Sequence, residues 1–351
     1  MSSTSIPKTT QAWTVQGKDG FDSLKFDQAT PVPKVSDYEV LVKLHAASLN
    51  YRDLIIPKGK YPFAQADGVV PGSDGAGEVI AVGSKVTRFK NGAKVVTLFN
   101  QGHLGGSLNP QTGATGLGGV IDGTLRQYGI FNENGLVDMP ASLNWLEGST
   151  LSCAALTAWN ALYGLKPLQP GQTVLTQGTG GVSIFAVQFA KAAGATVIAT
   201  TSSVKKAEVL KKLGADHVIN YRDETEWGTK AKELTLNKEG VDHIVEVGGP
   251  PTLAQSFNAI KIDGVISIIG FLGGVGKEKQ PSFLEPLNHI CNLRGVLVGN
   301  RVQFEDMNRA IEINKIKPVV DDKVFALADA KEAYQYMWDQ KHFGKLTIKI
   351  E

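Results

Sequence analysis

The chain has 351 residues, of which 42% are hydrophobic and 20% are charged, and its formal net charge at pH 7 is +2. This length suggests about two domains, and the near-neutral charge gives no reason to expect a nucleic acid or a membrane as a partner. The chain has only two cysteines, which excludes a disulfide framework and favours a reducing compartment. It contains no apolar run of about 18 residues or more, so no transmembrane helix is expected.

The N-terminal segment MSSTSIPKTTQAW is rich in Ser and Thr and lacks an apolar run. We therefore expect no secretory signal and a cytoplasmic location. β-branched runs separated by turn residues predict that roughly the first 150 residues are β-rich. The predicted strands are Ala12–Val15, Tyr38–Ala46, Gly77–Val82 and Ala93–Phe99. A long Gly-rich stretch between Phe99 and Tyr128 is predicted to be a surface loop.

From Thr173 to Gly299, strand-like and helix-like patterns alternate, which predicts a parallel, doubly wound sheet. The predicted strands are TVLTQ, TVIAT, HVIN, DHIVEV, VISIIG and VLVG. Apolar residues at helical spacing follow the first strand, and a second helix is predicted over Val204–Leu213, before Gly214.

The C-terminal region is too short for a domain of its own. It is predicted to contain the helices Phe304–Asn314 and Ala328–Gln340 and the strands Lys323–Leu327 and KLTIKI. We expect these strands to complete the β-rich unit formed by the N-terminal region.

The most informative local pattern is the turn that follows the strand TVLTQ. Gly178, Gly180 and Gly181 form this turn, and a helix begins at once. Glycine allows a sharp bend and a close approach to a pyrophosphate, and the helix directs its first N–H groups at the phosphates. The pattern favours a dinucleotide site over an ordinary strand–helix turn, because a second strand follows at the expected distance.

The end of that second strand indicates which dinucleotide binds. NAD sites usually carry Asp or Glu there, whereas hydroxyl and ammonium groups attract a 2′-phosphate. This chain has no carboxylate at that point, so we predict NADP(H). The proposed contacts are Thr201, Ser202, Ser203, Lys205, Lys206 and Tyr221. One of the two lysines is alternatively a solvent-facing residue, and Tyr221 is alternatively a half-buried aromatic in a turn.

Several motifs spread over nearly the whole chain resemble the medium-chain dehydrogenase/reductase superfamily, in its zinc-independent quinone oxidoreductase and alcohol dehydrogenase-like branch. They are LNYRD (Leu49–Asp53), GKYPF (Gly59–Phe63), VPGSDGAGEVIAVG (Val70–Gly83), CAALTAW (Cys153–Trp159), the GTGGV turn, LGADHVINY (Leu213–Tyr221) and GKLTIKI. The turn departs from the family at Ser183, where relatives commonly carry glycine.

The resemblance implies an α/β fold of two domains. A GroES-like catalytic domain would be made from residues 1–155 and 300–351, and a Rossmann domain binding NADP(H) from residues 156–299. The active site would lie in the cleft, with a small-molecule substrate. The resemblance also suggests a homodimer formed through the edge strand near Val296–Gly299, although an apolar strand is equally suited to the core.

The resemblance adds further cofactor contacts. Two glycine-containing turns follow strands whose carboxyl ends would face the ligand crevice. The residues implied are Thr157, Thr179, Val182, Val247, Gly248, Gly249, Phe271, Leu272 and Arg301. Arg301 is alternatively a plain surface or interface charge.

Zinc-dependent relatives hold catalytic zinc with Cys, His and Cys. Here Asn50 and Ser73 match the first two ligand positions, and only Cys153 is retained. One thiolate cannot supply a site that needs three protein ligands. The stretch that matches the structural zinc lobe has no cysteine, and His103 there is expected to face solvent. We therefore predict no metal, and Cys153 as a small buried residue rather than a reactive thiol.

Without zinc, hydrogen-bond donors must stabilise the charge that develops during hydride transfer. By position, the candidates are Asn50, Tyr51 and Tyr61, and Tyr61 matches a tyrosine that donates a proton or contacts substrate in related enoyl reductases. Tyr61 is alternatively a packing aromatic beside Pro62. Asp53 is expected to organise its loop by accepting from backbone N–H groups.

Three functions follow. The first is NADPH-dependent reduction of quinones or α,β-unsaturated carbonyls. The second is a metal-free NADP-dependent alcohol dehydrogenase or aldehyde reductase. The third is an NADPH-binding protein without catalytic activity.

Overall fold

The computed structural model describes residues 6–270 and 281–351. The chain divides into two compact units. Unit 1 comprises Met1–Leu156 and Gly299–Glu351, and unit 2 comprises Thr157–Val298. Both ends of the chain therefore contribute to one unit.

The N-terminal part of unit 1 consists mainly of strands. They are β1 (Thr9–Val15), β2 (Leu24–Pro31), β3 (Glu39–Ser48), β4 (Asp74–Val82), β5 (Lys94–Thr97), β6 (Tyr128–Asn132) and β7 (Leu136–Asp138). The helices are short: α1 (Tyr51–Ile55), α2 (Pro110–Gly113) and α3 (Trp145–Gly148). A π-helical turn, Leu151–Ala155, leads into α4 (Leu156–Tyr163).

Unit 2 alternates strands and helices. Its strands are β8 (Thr173–Gln177), β9 (Thr196–Thr201), β10 (His217–Asn220), β11 (Val241–Glu246), β12 (Ile260–Ile268) and β13 (Asn292–Gly295). Its helices are α5 (Gly181–Ala192), α6 (Val204–Lys212), α7 (Trp227–Glu233), α8 (Pro250–Ala259) and α9 (Glu285–Asn288). The chain then returns to unit 1 with α10 (Arg301–Asn314), β14 (Phe325–Ala326), α11 (Ala330–Trp338) and β15 (Thr347–Lys349).

The C-terminal strands complete the sheet of unit 1, as the sequence predicted. The strand order is β14-β15-β3-β4-β5-β7, with β6 paired to β3. β15 runs antiparallel to β3 and pairs Thr347 with Ser48. Just before β15, Leu346 O accepts from Leu49 N at 3.0 Å, which brings the closing GKLTIKI segment beside the loop that carries Asn50.

In unit 2 six parallel strands form a sheet in the order β10-β9-β8-β11-β12-β13. The chain moves outward from β8 to β10 and then returns to the other side of β8 with β11. Ligands of such doubly wound sheets bind at this switch point, beyond the carboxyl ends of the strands. The predicted α/β class with a parallel, doubly wound sheet is confirmed.

One strand prediction was wrong. The run VLVG forms no strand, and the edge strand is instead β13, four residues earlier. Val298 has a φ of 51°, which is incompatible with an extended strand, and both Val296 and Val298 are buried. β13 has the more polar sequence NLRG and alternates half-buried and exposed residues, as suits an edge strand. The apolar run was therefore a signal of burial rather than of strand structure.

The Gly-rich stretch after Phe99 is only partly a surface loop. Residues 104–111 are exposed, but the second half packs inward, with Leu117, Thr124 and Leu125 almost completely buried. His103 was expected to face solvent and is instead buried, with Nε2 3.1 Å from Gly106 O. A tight turn through two glycines folds the loop back over the ring.

Within residues 6–270 and 281–351, no helix is long and apolar enough to cross a membrane.

Candidate active site

The glycine turn after β8 leaves open space at the rim of the sheet of unit 2. Gly178 has a φ of +73°, and its N–H donates to Thr200 O at 2.8 Å. A Cβ built on Gly178 or on Gly180 would have no atom within 4 Å. Gly180 precedes α5, Gly181 begins it, and residues 178–182 are all half-buried. This geometry fits a pyrophosphate group in front of the first turn of α5.

Ser183 fills the place where relatives commonly carry a third glycine. Its hydroxyl donates to Gln177 O at 2.6 Å, and the residue is 1% exposed. The Ser183 hydroxyl thus has its hydrogen-bond acceptor at the end of β8, and the side chain is small enough for α5 to pack closely on β8.

Hydroxyl groups cluster where β9 ends and α6 begins. Thr201 Oγ1 accepts from Ser203 N at 3.3 Å, and Ser203 caps α6 by accepting from Lys206 N at 3.4 Å. Each hydroxyl still has its proton to donate. Ser202 is half-buried between them.

The two neighbouring lysines differ in exposure. Lys205 is exposed, whereas Lys206 is half-buried, and among the described residues neither ammonium lies within 4 Å of a carboxylate. Tyr221 donates its backbone N–H to Thr201 O at 3.1 Å, and its side chain is 42% exposed. The fold thus brings Tyr221, the end of β9 and the first turn of α6 together at one corner of the sheet.

A buried carboxylate, that of Glu246, holds the VGG turn after β11, and this structural role was not predicted from the sequence. Glu246 is fully buried, and its Oε1 accepts from Gly248 N and Gly249 N, both at 2.9 Å, and from the Thr252 hydroxyl. Gln177 reaches the same turn: its Oε1 accepts from Gly248 N at 3.1 Å and its Nε2 donates to Glu246 at 2.6 Å. A Cβ on Gly248 would lie 2.4 Å from Thr252 Oγ1, so this position requires glycine.

The remaining residues proposed for the cofactor have different positions. Val247 N donates to Gln177 Oε1 at 3.2 Å, Thr179 lies in the glycine turn, and Thr157 is buried in α4. Arg301 begins α10 in unit 1 and donates to Asn134 Oδ1 at 2.8 Å. Phe271 and Leu272 lie outside the described residues. The assignment of all these residues to a cofactor stays a prediction.

In unit 1, Asn50 stands at the N-terminus of α1. Its backbone N–H donates to Asp53 Oδ2 at 2.8 Å, which is the loop-organising contact that the sequence predicted for Asp53. Arg52 lies on the same turn and donates to Asp53 Oδ1 at 3.2 Å and to Leu117 O at 2.9 Å. Burial raises the pKa of Asp53 to about 6, and the Arg52 charge opposes that rise.

The candidate catalytic tyrosines, Tyr51 and Tyr61, are partly buried and pack against the core of unit 1. Tyr61 packs edge-to-face on Phe63, with ring centroids 5.3 Å apart, and the Arg52 guanidinium lies 5.1 Å from its centroid. Tyr61 therefore has the packing role considered above. Burial raises the pKa of its phenol, which makes the phenol a weaker acid than a tyrosine in water.

Two of the positions matched to zinc ligands lie close together. Asn50 Nδ2 is 3.5 Å from Ser73 Oγ. Cys153 is half-buried on the π-helical turn, and burial raises the pKa of its thiol to about 12. Among the described residues, no three His, Cys, Asp or Glu side chains are grouped so that they could hold a metal ion.

A buried lysine stands beside this cluster, and sequence reasoning missed it as well. Lys345 Nζ lies 2.5 Å from Asn50 Oδ1, 2.8 Å from Leu49 O and 3.2 Å from Asp74 Oδ2. Asp74 also accepts from the hydroxyls of Ser48 and Ser73. Within the cluster, the Lys345 ammonium and the two serine hydroxyls are engaged, and the Asn50 amide is a donor of the kind that stabilises a developing oxyanion.

Comparison with known proteins gives two family matches. The model for the alcohol dehydrogenase GroES-like domain matches residues 36–141, and the model for the zinc-binding dehydrogenase matches residues 181–313. The first lies in unit 1, and most of the second lies in unit 2.

Individual proteins match over almost the whole chain. A zinc-type alcohol dehydrogenase-like protein of Schizosaccharomyces pombe is 47% identical over 95% of this chain and 96% of its own. An NADPH-dependent alkenal/one oxidoreductase from the chloroplast of Arabidopsis thaliana is 29% identical over 98% of this chain and 80% of its own. A crystal structure of a putative alcohol dehydrogenase from Sinorhizobium meliloti 1021 is 38% identical, with a TM-score of 0.89 over 98% of this chain and 100% of the other.

Proposed function

Because this chain belongs to the medium-chain dehydrogenase/reductase superfamily and is an oxidoreductase with a GroES-like and a Rossmann-like fold, we propose that it uses NADPH to reduce quinones or α,β-unsaturated carbonyl compounds without zinc. The observation that carries the proposal is the set of side chains after β9. Hydroxyl and lysine groups occupy the place where an NAD site would have a carboxylate.

The proposed NADPH site uses the rim of unit 2. The glycine turn and the first turn of α5 would hold the pyrophosphate, and the corner formed by Thr201, Ser203 and Lys206 would hold the 2′-phosphate. Glu246 and Gln177 would keep the VGG turn fixed where its backbone meets the nicotinamide ribose. Bound there, the cofactor supplies a hydride.

The proposed chemistry of unit 1 is donation of hydrogen bonds and a proton. Asn50 would donate an amide N–H to the substrate oxygen as negative charge develops on it, and Tyr51 and Tyr61 would donate from their phenols. A phenol is protonated at neutral pH, so Tyr61 has a proton to donate. The relative from Arabidopsis, named for alkenal and alkenone substrates, supports the same substrate class.

The test is the loss of NADPH absorbance with a panel of enones and quinones, measured with a chelator present and repeated with NADH. We expect turnover with NADPH that the chelator does not reduce. Tyr61→Phe should lower kcat by roughly 10²- to 10⁴-fold, the usual contribution of general acid catalysis. Turnover only with NADH, or only after metal is added, would contradict the proposal.

The second candidate function is a metal-free NADP-dependent alcohol dehydrogenase or aldehyde reductase. The alcohol dehydrogenase names of the relatives from S. pombe and S. meliloti favour this reaction class, and its metal-free form rests on Asn50 and Ser73 at the zinc-ligand positions. Oxidation of simple alcohols with NADP in the presence of a chelator, at a higher kcat/KM than enone reduction, would establish it. Tight binding of NADPH with no turnover in either assay would instead indicate the third function, a binding protein.

We further propose a cytoplasmic homodimer that forms through the outer edge of unit 2. β13 is the edge strand, and Leu293 in it and Leu287 and Ile290 just before it are exposed. Contiguous exposed apolar side chains mark interfaces in many proteins. Two free cysteines suit a reducing compartment.

A further inference from the structure

Lys345 is a buried lysine whose ammonium is fully occupied. The residue is 3% exposed, and Nζ donates to three oxygens, those of Leu49, Asn50 and Asp74. An ammonium has three protons and no lone pair, so all its donors are used. Buried lysines are rare unless paired, and here the pair is with Asp74 at 3.2 Å.

This contact fixes which way the Asn50 amide points. The oxygen and nitrogen of an Asn side chain are distinguished only by their partners. Since Lys345 can only donate, the atom that faces it at 2.5 Å must be the acceptor Oδ1. The NH₂ group is therefore turned away from Lys345, toward Ser73 Oγ at 3.5 Å. One of its two protons faces that hydroxyl, and the other is left for a further acceptor.

Asp74 in turn holds Lys345 in place. It is fully buried, and its carboxylate accepts from the hydroxyls of Ser48 at 2.9 Å and Ser73 at 2.8 Å as well as from Lys345. The same Ser73 hydroxyl thus donates to Asp74 and faces the Asn50 amide. The contacts therefore link the Asp74 carboxylate to the Lys345 ammonium, and the Lys345 ammonium to the Asn50 amide.

We propose that Lys345 is a positioning residue, which holds the Asn50 amide so that its Nδ2 group donates to a substrate oxygen that gains negative charge. The inference rests on the proposed function of Asn50 and adds the residue that orients it. Lys345 itself need not touch substrate, and the ammonium also adds a fixed positive charge next to the donor.

The test uses the double variant Lys345→Met with Asp74→Asn, which removes both charges so that neither is left unpaired in the core. Asn at position 74 can still accept from one serine and donate to the other. Asn50→Asp is the second variant: it keeps an acceptor for Lys345 but has no N–H. The matched control is Lys349→Met, on β15 as well, because Lys349 is exposed and pairs only with Glu351 at the surface.

Three quantities are measured: the thermal midpoint, the Kd for NADPH, and kcat and KM for an enone. We expect the double variant to bind NADPH within about twofold of wild type, with kcat lowered roughly tenfold or more. Asn50→Asp should lower kcat by about 10²- to 10³-fold, the usual loss on removing one oxyanion donor. A folded double variant with wild-type kcat would overturn the inference.

A direct measurement of the amide separates this inference from the proposed function. The side-chain NH₂ signals that vanish from the ¹⁵N NMR spectrum of Asn50→Asp identify Asn50. In the wild type they should be sharp and exchange slowly with solvent, and in the Lys345 variants they should broaden or exchange at least tenfold faster. Unchanged signals would refute the orienting role, even in the single Lys345→Met variant. Absence of NADPH turnover in the wild type with the expected NMR result would refute the proposed function alone.

Discussion

The proposed choice between two cofactors that differ by one phosphate depends on a few side chains at the end of β9. Thr201 and Ser203 already accept hydrogen bonds that shape the turn, and their protons remain to be donated. Lys206 is half-buried beside them, and Lys205 is exposed. A carboxylate here would repel a 2′-phosphate, whereas these groups attract it.

Removing both lysines should therefore alter cofactor preference more than affinity in general. In Lys205→Ala with Lys206→Ala, we expect NADPH affinity to fall by about 1.5–3 kcal/mol, the usual worth of a hydrogen bond to a charged group. NADH affinity should change little. Fluorescence titration with both cofactors measures this, and Lys211→Ala with Lys212→Ala, on the exposed end of α6, is the control. Equal losses for both cofactors would mean that the 2′-phosphate binds elsewhere.

Cys153 is the residue retained at a zinc-ligand position, and its surroundings disfavour the thiolate. Burial raises the pKa of the thiol to about 12 from an ordinary value of 9.0. At pH 8 roughly one thiol in ten thousand is then ionised. We expect iodoacetamide at pH 8 to modify Cys153 at least 10²-fold more slowly in the native protein than in urea, as measured by mass spectrometry. Modification at the same rate in both states would contradict this account.

From the sequence, roles could be proposed only for residues that belong to a local pattern. Gly178, Thr201 and Asp53 each belong to a local pattern. The role of Lys345 was missed because its partner is remote: Lys345 meets Asn50 across 295 positions of the chain. Glu246 meets Gln177 across 69 positions, and its contacts with Gly248, Gly249 and Thr252 depend on the geometry of the folded turn. No spacing rule connects such pairs before the fold brings them together.

Among the elements, the turn between β8 and α5 is the feature on which the proposed cofactor binding depends. Because there is open space at Gly180, a substitution there can change cofactor binding without changing the stability of the fold. Its φ of −75° and ψ of 169° are accessible to alanine, and a Cβ there would meet no protein atom within 4 Å. A methyl group would instead take up the space proposed for the pyrophosphate.

Gly180→Ala should accordingly leave the thermal midpoint within about 2 °C of wild type, or raise it slightly, since alanine reduces the entropy of the unfolded chain. NADPH affinity should fall at least tenfold. Gly295→Ala on the exposed edge strand β13 is the matched control, because a Cβ there also meets nothing within 4 Å. Calorimetry and a cofactor titration measure both effects. Unchanged affinity in Gly180→Ala would place the pyrophosphate elsewhere.

Elements were predicted well where periodicity and turn residues agree, as in β8, α5 and α6. The edge strand was misplaced because β13 carries polar residues suited to partial exposure, while the apolar VLVG run belongs to the core. β14 is shorter than predicted, at two residues. A run of hydrophobic residues indicates that a segment is buried. Whether that segment is a strand depends on hydrogen bonding to neighbouring strands, which the run itself does not reveal.

At the scale of the whole molecule, a sheet of unit 1 assembled from both ends of the chain carries the proposed substrate groups. β15 from the C-terminus pairs with β3 near the N-terminus, and this pairing delivers Lys345 to the loop after β3. The sequence predicted this return because the C-terminal strands are too few to form a domain of their own, and the family resemblance implies the same arrangement.

The exposed edge of the sheet of unit 2 leads us to predict a homodimer. With exposed Leu287, Ile290 and Leu293 along β13 and the segment before it, we expect a dimer of 37.5 kDa subunits by sedimentation. Ile290→Asp with Leu293→Lys should shift the protein to monomers without lowering its helix content. Exposed Ile313 on α10 of unit 1, changed to Asp, is the control. A monomeric wild type would refute the proposed dimer.

Calorimetric titration of the wild-type protein with NADPH and with NADH measures whether the rim of unit 2 binds NADPH in preference to NADH. We predict one NADPH per chain and a Kd at least about tenfold lower than that for NADH, a difference of roughly 1.4 kcal/mol or more. Equal affinities, a preference for NADH, or no binding of either dinucleotide would contradict the account.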